Sequence, residues 1–545
     1  MNKDLESIQE ARDLAESAFK AFHVFEHFTE EQVERILAEI SQAAIAHAEA
    51  LAKLAVEETG YGTVEHKTLK NLFCARDVYN AIKPMKTVGI VSEDSEKKVF
   101  EVASPIGVIA AIIPSTNPTS TTIYKALIAL KGRNTIVFSP HPSATKCISE
   151  TSRVIAEAAE RAGAPPGSIS CMRVSTIEGA EALMKHPHTS LILATGGTGL
   201  VKAAYSAGKP AFGVGPGNVP TYIESTADVP KAVRDILTGK TFDNGTLCSS
   251  EQSIICDESV KDGVLEQLRT QGAYICNPAE KALLEKTIQT PRRTLNTKIV
   301  GQSAVKIAEM AGFKVPPGTR AIVAHADGVG PNYPISMEKL SPLLAFYVVK
   351  DWQEGCAKCI EILTFGGLGH TLSLHTREDR IVREFGLKKP AFRICVNTPA
   401  ALGAVGYTTN LFPSMTLGCG AQGNNITSDN ISPLHLINLK RVAYGVREVQ
   451  PPAPAKRGVI EKVVDQWLER KTDKAVAPLP QQTSPPLSSY QELKPAAAKP
   501  AAFVCEDDVR AAISAQSQIV LGNKTIVTPS ARELGEAHDV FVTAD

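Results

Sequence analysis

The sequence predicts an α/β protein built on two doubly wound parallel sheets. Three observations point there. From Gly107 to Ala207, short apolar runs alternate with longer amphipathic stretches, the rhythm of strand and crossover helix. The first of these runs, Gly107-Val-Ile-Ala-Ala-Ile-Ile113, is apolar throughout, as a strand covered on both faces must be. The same alternation returns between residues 253 and 400, with a helix near Gly355–Leu363.

Taken in order, residues 1–85 read as helices, with apolar residues at helical spacing from Glu30 to Glu58. Val88 to Ala103 reads as extended strands, the arm of an oligomer. After the Gly107 strand comes a turn, Pro114-Ser-Thr-Asn-Pro-Thr-Ser120, then a helix from Thr121 to Lys131. Asn134–Phe138 is the next strand, broken by Ser139-Pro-His-Pro142. Helix Ser149–Ala162, strand Ser168–Val174, helix Glu178–His186 and strand Ser190–Ala194 follow. Thr195-Gly-Gly-Thr-Gly199 then feeds a helix from Leu200 to Ala207. Ligands of such sheets bind beyond the carboxyl ends of the strands, where the turns at Asn117, Ser139 and Thr195 fall.

The totals narrow the function. The chain has 545 residues, enough for two or three domains. Lys+Arg and Asp+Glu both number 58, so no global basic field invites nucleic acid or an anionic membrane. No apolar run reaches the roughly 18–20 residues that span a bilayer. The amino-terminal residues are polar, without the apolar core of a secretory signal. Eleven scattered cysteines read as reduced thiols of a cytoplasmic protein.

One of those thiols stands apart. Thr241-Phe-Asp-Asn-Gly-Thr-Leu-Cys248-Ser-Ser-Glu-Gln252 is a polar, Gly-containing loop directly before the strand-like Ser253–Cys256. A thiol there is exposed on one side and held on the other, which suits a nucleophile; an inert buried thiol is the alternative. In the Asn117 turn, a side-chain amide after a buried strand can donate to a developing oxyanion. Thr195–Gly199, at a helix N-terminus, can bring backbone N–H groups against a polar cofactor. Gly213-Val-Gly-Pro-Gly-Asn218 lacks the third glycine of a dinucleotide fingerprint, and a strand-like run follows it. Cys356-Ala-Lys-Cys359 has no second pair, so no metal site is expected. His186-Pro-His188 reads as a turn, and Cys256, Cys395 and Cys419 as buried thiols.

Together these residues resemble the aldehyde dehydrogenase superfamily, in particular its CoA-acylating branch, over about residues 5–447. The resemblance lies in an ordered set: Pro114–Pro118, Ala194–Gly199, Gly213–Asn218, Cys248 with Ser249–Gln252, Glu338-Lys-Leu-Ser-Pro342, Gly366-Gly-Leu-Gly-His-Thr371 and Thr416-Leu-Gly-Cys-Gly420. It implies an aldehyde dehydrogenase-like fold. The NAD-binding domain, with its oligomerisation arm, would cover residues 1–236 and the catalytic domain 237–430. Residues 431–450 would return to the cofactor domain or an oligomer interface. It implies Cys248 as nucleophile and Asn117 as oxyanion donor. It places the cofactor against Pro114, Ser115, Ser139, His141, Thr195, Gly196, Gly197 and Thr198, with Glu338 at the nicotinamide ribose. His370, Gly418 and Gly420 are candidates for a CoA or accessory site.

Two departures bear on the chemistry. The hydrolytic branch carries a general-base Glu in the stretch matching Gly213–Asn218; here no carboxylate occurs from Ala211 to Ile223. Without a base for water, a thioester on Cys248 persists until a soluble thiol takes the acyl group. Ser139-Pro-His-Pro142 replaces the Lys-Pro-Ser that many members place at the adenosine ribose, so NAD is expected with NADP left open. The expected activity converts a short-chain aldehyde, acetaldehyde or propionaldehyde, with CoA and NAD to acyl-CoA and NADH. The alternatives are a hydrolytic enzyme of the same fold and an inactive shell-binding scaffold.

From Pro451 the composition becomes rich in Pro, Ala and Ser, a linker over 451–503. Within it, Val459, Ile460, Val463, Val464, Trp467 and Leu468 form one stripe on a helix over 458–471. It resembles the encapsulation peptides of bacterial microcompartment enzymes, which implies shell proteins as partners and the compartment lumen as location. An extension over 504–545 holds a short helix and two β-like runs. The residues after Ala443 are too few for the alcohol dehydrogenase half of linked bifunctional enzymes.

Overall fold

The first helix, Lys3–Phe25, buries Ala11, Ala15, Ala18 and Ala21, a stripe of small side chains at helical spacing that lets it lie close on a sheet. Thr135 Oγ1 donates to its Ala18 carbonyl at 3.0 Å. The second, Glu30–Ala46, opens with a capping box in which Thr29 and Gln32 satisfy each other's backbone N–H groups. Helices Ala48–Thr59 and Val64–Leu72 follow, and the chain then widens into a π-helical Phe73–Val78. The structure is a computed structural model and describes residues 2–449, 458–472, 501–515 and 517–543.

Five parallel strands make the first sheet, in the order Ile169–Cys171, Thr135–Pro140, Val108–Ile113, Thr189–Thr195, Ala211–Val214. Its centre, Val108–Ile113, is buried at every position. Each such Val or Ile contributes about 1.5–3 kcal/mol by leaving water. Sequence direction reverses on either side of this strand, so the crevice at its carboxyl end is a topological switch point.

Seven parallel strands make the second sheet, in the order Ala273–Ile275, Ala321–His325, Leu343–Val349, Glu251–Asp257, Val219–Ile223, Gly369–His375, Ala391–Val396. The strand Val219–Ile223 pairs with Glu251–Asp257, and the helix Val229–Thr241 packs its Val233, Ile236 and Leu237 into this sheet's core. The sheets therefore separate between Val214 and Val219, ahead of the expected division at 236. Residues 401–430 also depart from expectation. Ala401, Ala404, Val405, Met415 and Leu417 pack into the first core, and Tyr124 Oη donates to the Ile431 carbonyl at 2.7 Å. A third sheet joins Gly89–Asp94, Val99–Pro105 and Ile437–Ala443, all antiparallel.

Beyond Glu448 lies a second unit. Its helix Val459–Thr472 leaves Val463, Val464, Trp467 and Leu468 between 47% and 56% exposed. Residues 451–457 and 473–500 of the expected linker lie outside the described residues. The linker was expected to run to 503, but Ala501–Val504 is a strand. It pairs in parallel with Ile519–Val527, which pairs with Phe541–Thr543. With helices Glu506–Ser514 and Pro529–Ala537 this is a βαβαβ unit around Val504, Val509, Ala531 and Val540, one helix and one strand more than the run of residues suggested.

Candidate active site

Between the carboxyl ends of the first sheet and the amino end of the second lies a cavity of about 1010 Å³. Pro114, Ser115 and Asn117 reach it from the turn after Val108–Ile113, and Ser139 and His141 from the end of Thr135–Pro140. Thr195, Gly196 and Gly197 line it from the end of Thr189–Thr195; Thr198 opens the helix Thr198–Tyr205. Cys248 and Glu338 line it from the second sheet's side.

The Cys248 loop is built to be rigid. A short turn, Phe242–Gly245, carries Asp243 and Asn244 in the left-handed region at φ 51° and 53°, which these residue types tolerate better than most. Ser249 Oγ donates to Ala401 O at 3.2 Å and Ser250 Oγ to Gly245 O at 3.3 Å. Buried Gln252 accepts at Oε1 from Lys240 Nζ and from the Lys339 backbone N–H, both at 3.1 Å. The Ser249–Gln252 motif thus ties the Cys248 loop to the Glu338–Lys339 segment. Cys248 is half-buried and lines the cavity. Burial pushes it up to about 12; the Glu338 charge adds to the rise, while the Arg393 guanidinium and the cysteine's own backbone N–H oppose it.

Asn117 is the N-cap position of the Pro118–Lys131 helix, yet its side chain does not cap. Instead its amide turns to the Cys248 loop, with Nδ2 3.4 Å from Thr246 O and 3.2 Å from Thr116 Oγ1. Glu338 is half-buried at the cavity wall and accepts at Oε1 from the Gly217 N–H at 2.9 Å; desolvation raises its carboxyl to about 8. Nothing lies within 4 Å of where a Cβ on Gly197 or Gly215 would stand, so both offer bare backbone to the cavity. By contrast, a Cβ on Gly196 would meet Leu200 Cδ2 at 2.7 Å, so that glycine serves packing. Open backbone beside a half-buried carboxyl, at a switch point of a parallel sheet, fits a nicotinamide dinucleotide.

His370, Gly418 and Gly420 are not among the residues lining this cavity. His370 is buried with Nδ1 2.9 Å from Thr371 Oγ1 and no partner for Nε2; burial and the Arg393 charge lower it to about 3, so it is neutral. A Cβ on Gly418 would lie 2.4 Å from Thr427 O, and one on Gly420 would strike the Phe392 ring at 2.3 Å. Close packing accounts for both glycines and leaves no room for a ligand above them.

Three groups escaped the sequence reading. Arg393, a buried cation on the strand Ala391–Val396, donates to His370 O at 3.0 Å, Ser428 O at 3.1 Å and Gly369 O at 3.3 Å, and also to Gly418 O. Glu251 accepts from the Ala400 N–H at 2.6 Å with its Oε2 buried and unpartnered. Asp243 gathers Lys67 and Lys70 from the Val64–Leu72 helix. No motif marks them, since each meets its partners only in three dimensions. Among the described residues no group of three or more His, Cys, Asp and Glu is placed to hold a metal, and no helix is long and apolar enough to cross a membrane.

The aldehyde dehydrogenase family profile matches residues 2–330. The bifunctional aldehyde-alcohol dehydrogenase AdhE of Escherichia coli (strain K12) is 46% identical over 445 residues, 80% of this chain and 50% of that protein. The chain spans about half the length of this and several other curated relatives it matches. An acetylating aldehyde dehydrogenase from Geobacillus thermoglucosidasius superposes with a TM-score of 0.81 at 53% identity, covering 82% of this chain and 99% of that one. A propionaldehyde dehydrogenase from the Clostridium phytofermentans fucose utilisation bacterial microcompartment superposes with a TM-score of 0.72 at 30% identity, covering 79% and 96%.

Proposed function

Because the chain belongs to the aldehyde dehydrogenase family, we propose that it is a CoA-acylating aldehyde dehydrogenase, converting acetaldehyde or propionaldehyde, CoA and NAD to acyl-CoA and NADH. The observation that carries this reading is a nucleophile without a water-activating base in the usual place. Cys248 and the Gly215–Pro216 turn share one cavity, and no carboxylate occurs from Ala211 to Ile223. The likeness to an acetylating enzyme at 53% identity supports it.

In this mechanism the Cys248 thiol loses its proton to water in the cavity, its sulfur bonds to the aldehyde carbon and the carbonyl π pair moves to oxygen. Asn117 Nδ2–H and the Cys248 N–H stabilise that oxyanion. Thr195, Gly197 and Glu338 would hold the dinucleotide. A bound nicotinamide supplies the hydride acceptor. The oxidised carbon then stays on Cys248 as a thioester, and the CoA sulfur displaces Cys248. The CoA thiol gives its proton to the departing Cys248 sulfur, which restores the resting thiol. Glu338, raised to about 8, holds its proton at neutral pH and gives the hydrolytic alternative a base beside Cys248 at higher pH. An NADH assay with and without CoA across C2–C6 aldehydes decides. Turnover only with CoA is expected, and steady NADH production without CoA overturns the acylating reading.

The Val459–Thr472 helix is proposed to act as an encapsulation peptide for a microcompartment shell, with the Gly89–Asp94 and Val99–Pro105 arm serving a homo-oligomer. The exposed Val463, Val464 and Leu468 on one stripe support the first idea, since a helix of this length is marginal alone in water. Fusing residues 451–475 to a fluorescent protein in shell-forming cells tests it. Puncta that coincide with shells are expected; diffuse fluorescence among intact shells overturns it.

A further inference from the structure

Lys67 and Lys70 stand three residues apart on the Val64–Leu72 helix, so both leave the same face. Both are buried, at 1% and 4% exposure, where an unpaired ammonium would be expensive. Asp243, fully buried, is their common counter-ion. Lys67 Nζ reaches Asp243 Oδ2 at 3.0 Å and the Thr116 carbonyl at 3.1 Å. Lys70 Nζ contacts the same Oδ2 and donates to Asn117 Oδ1 at 2.6 Å. The rest of the Asp243 shell is neutral: the Thr63 N–H at 2.9 Å, the Thr246 hydroxyl at 2.6 Å, and its own N–H donating to His66 Nδ1 at 3.0 Å. Two ammonium groups thus face one carboxylate, and the unneutralised charge sits against the amide of Asn117.

An ammonium offers three donors and no acceptor, so only the oxygen end of an amide can meet it. The Lys70 contact therefore settles which way the Asn117 amide faces. Its Nδ2 is left with two long contacts, to Thr116 Oγ1 at 3.2 Å and Thr246 O at 3.4 Å, and has donor strength to spare. A charge-assisted bond at Oδ1 also draws electron density from the nitrogen and sharpens its N–H as a donor.

We infer that Lys70 is a positioning residue for Asn117, orienting and polarising the amide that meets the oxyanion formed at Cys248. The inference rests on the oxyanion role proposed for Asn117. Lys67 already pairs with Asp243, so charge balance alone does not require Lys70.

The test is a double-mutant cycle on the full chain with acetaldehyde, reading the single-turnover rate of NADH formation and, separately, NAD affinity. Asn117→Ala is expected to lower the rate roughly 10²–10³-fold. Lys70→Met is expected to lower it about 10–10²-fold with NAD affinity unchanged. The double variant should be no slower than Asn117→Ala alone, because Lys70 acts only through that amide. Lys70→Gln, which keeps an N–H donor without the charge, should fall between Lys70→Met and wild type; it carries the cycle if Lys70→Met does not fold. Multiplying losses in the double variant, or a wild-type rate in Lys70→Met, overturns the inference while leaving Asn117 in its role. A wild-type rate in Asn117→Ala overturns the oxyanion reading and the inference with it.

Discussion

The Gly217 N–H donates to Glu338 Oε1 at 2.9 Å, so the turn after the first sheet is pinned to the far wall of the cavity by a carboxylate. The same residue is hemmed in behind. A Cβ on Gly217 would stand 2.4 Å from Cys248 O and 3.0 Å from His370 Cγ. Backbone, ring and carboxylate all converge on a position that must have no side chain.

Gly217→Ala therefore has to move either the Cys248 backbone or the turn itself. NADH production is expected to fall by about 10² or more, as misplacement by around 1 Å does. Iodoacetamide labelling of Cys248 should slow in parallel. Wild-type labelling with lost turnover would place the damage at the cofactor side instead.

Cys248→Ala is expected to abolish acyl-CoA formation and leave NAD affinity near wild type, since the loop's hydrogen bonds run through Ser249, Ser250 and Gln252 rather than the thiol. Calorimetric NAD titration beside a thioester assay checks both halves. Residual turnover above a trace would assign the nucleophile to another cysteine.

His370→Ala is expected to lower the NADH burst and CoA-dependent turnover together, by roughly 10²-fold, because the buried ring packs against Gly217 behind the Cys248 loop and its loss lets that loop shift. Rapid mixing separates the two phases. A full burst with CoA-dependent turnover lost would instead give His370 a part in acyl transfer.

Stability should fall as pH rises through the range where Glu251 stays protonated. Burial raises its carboxyl to about 8 from an ordinary value near 4.5. Below about 4.5 both folded and unfolded chains hold the proton. Between about 4.5 and 8 only the folded chain does, and keeping it there costs stability with each added pH unit. Glu251→Gln removes that titration. Its Tm is expected to decline less from pH 5.5 to pH 8 than that of wild type; parallel declines would show that Glu251 ionises normally.

Much of this site was legible in the sequence, because its reacting groups sit on short turns directly after or before apolar strands. Asn117, Thr195 and Cys248 are of that kind, and the cavity brings them together. Lys67 and Lys70 were not legible. On a helix rich in charged residues, a lysine reads as a solvated face, and only Asp243, far along the chain, makes burial tolerable. Arg393 was hidden for the same reason, its partners being carbonyls that no sequence pattern displays. The sheet boundary was misplaced because two parallel sheets share one strand–helix rhythm. Nothing local tells whether Val219–Ile223 closes the first sheet or enters the middle of the second.

Cys248 lies just before Glu251–Asp257, the fourth of seven strands and so the midline of its sheet. A residue mounted there is held from both flanks and is a poor place to adjust substrate choice. The apolar side chains Val405, Met415 and Leu417 line the same cavity from a segment outside that sheet. Redesign for longer aldehydes is best begun there, where a wall can be recut without disturbing the anvil against which the chemistry is struck.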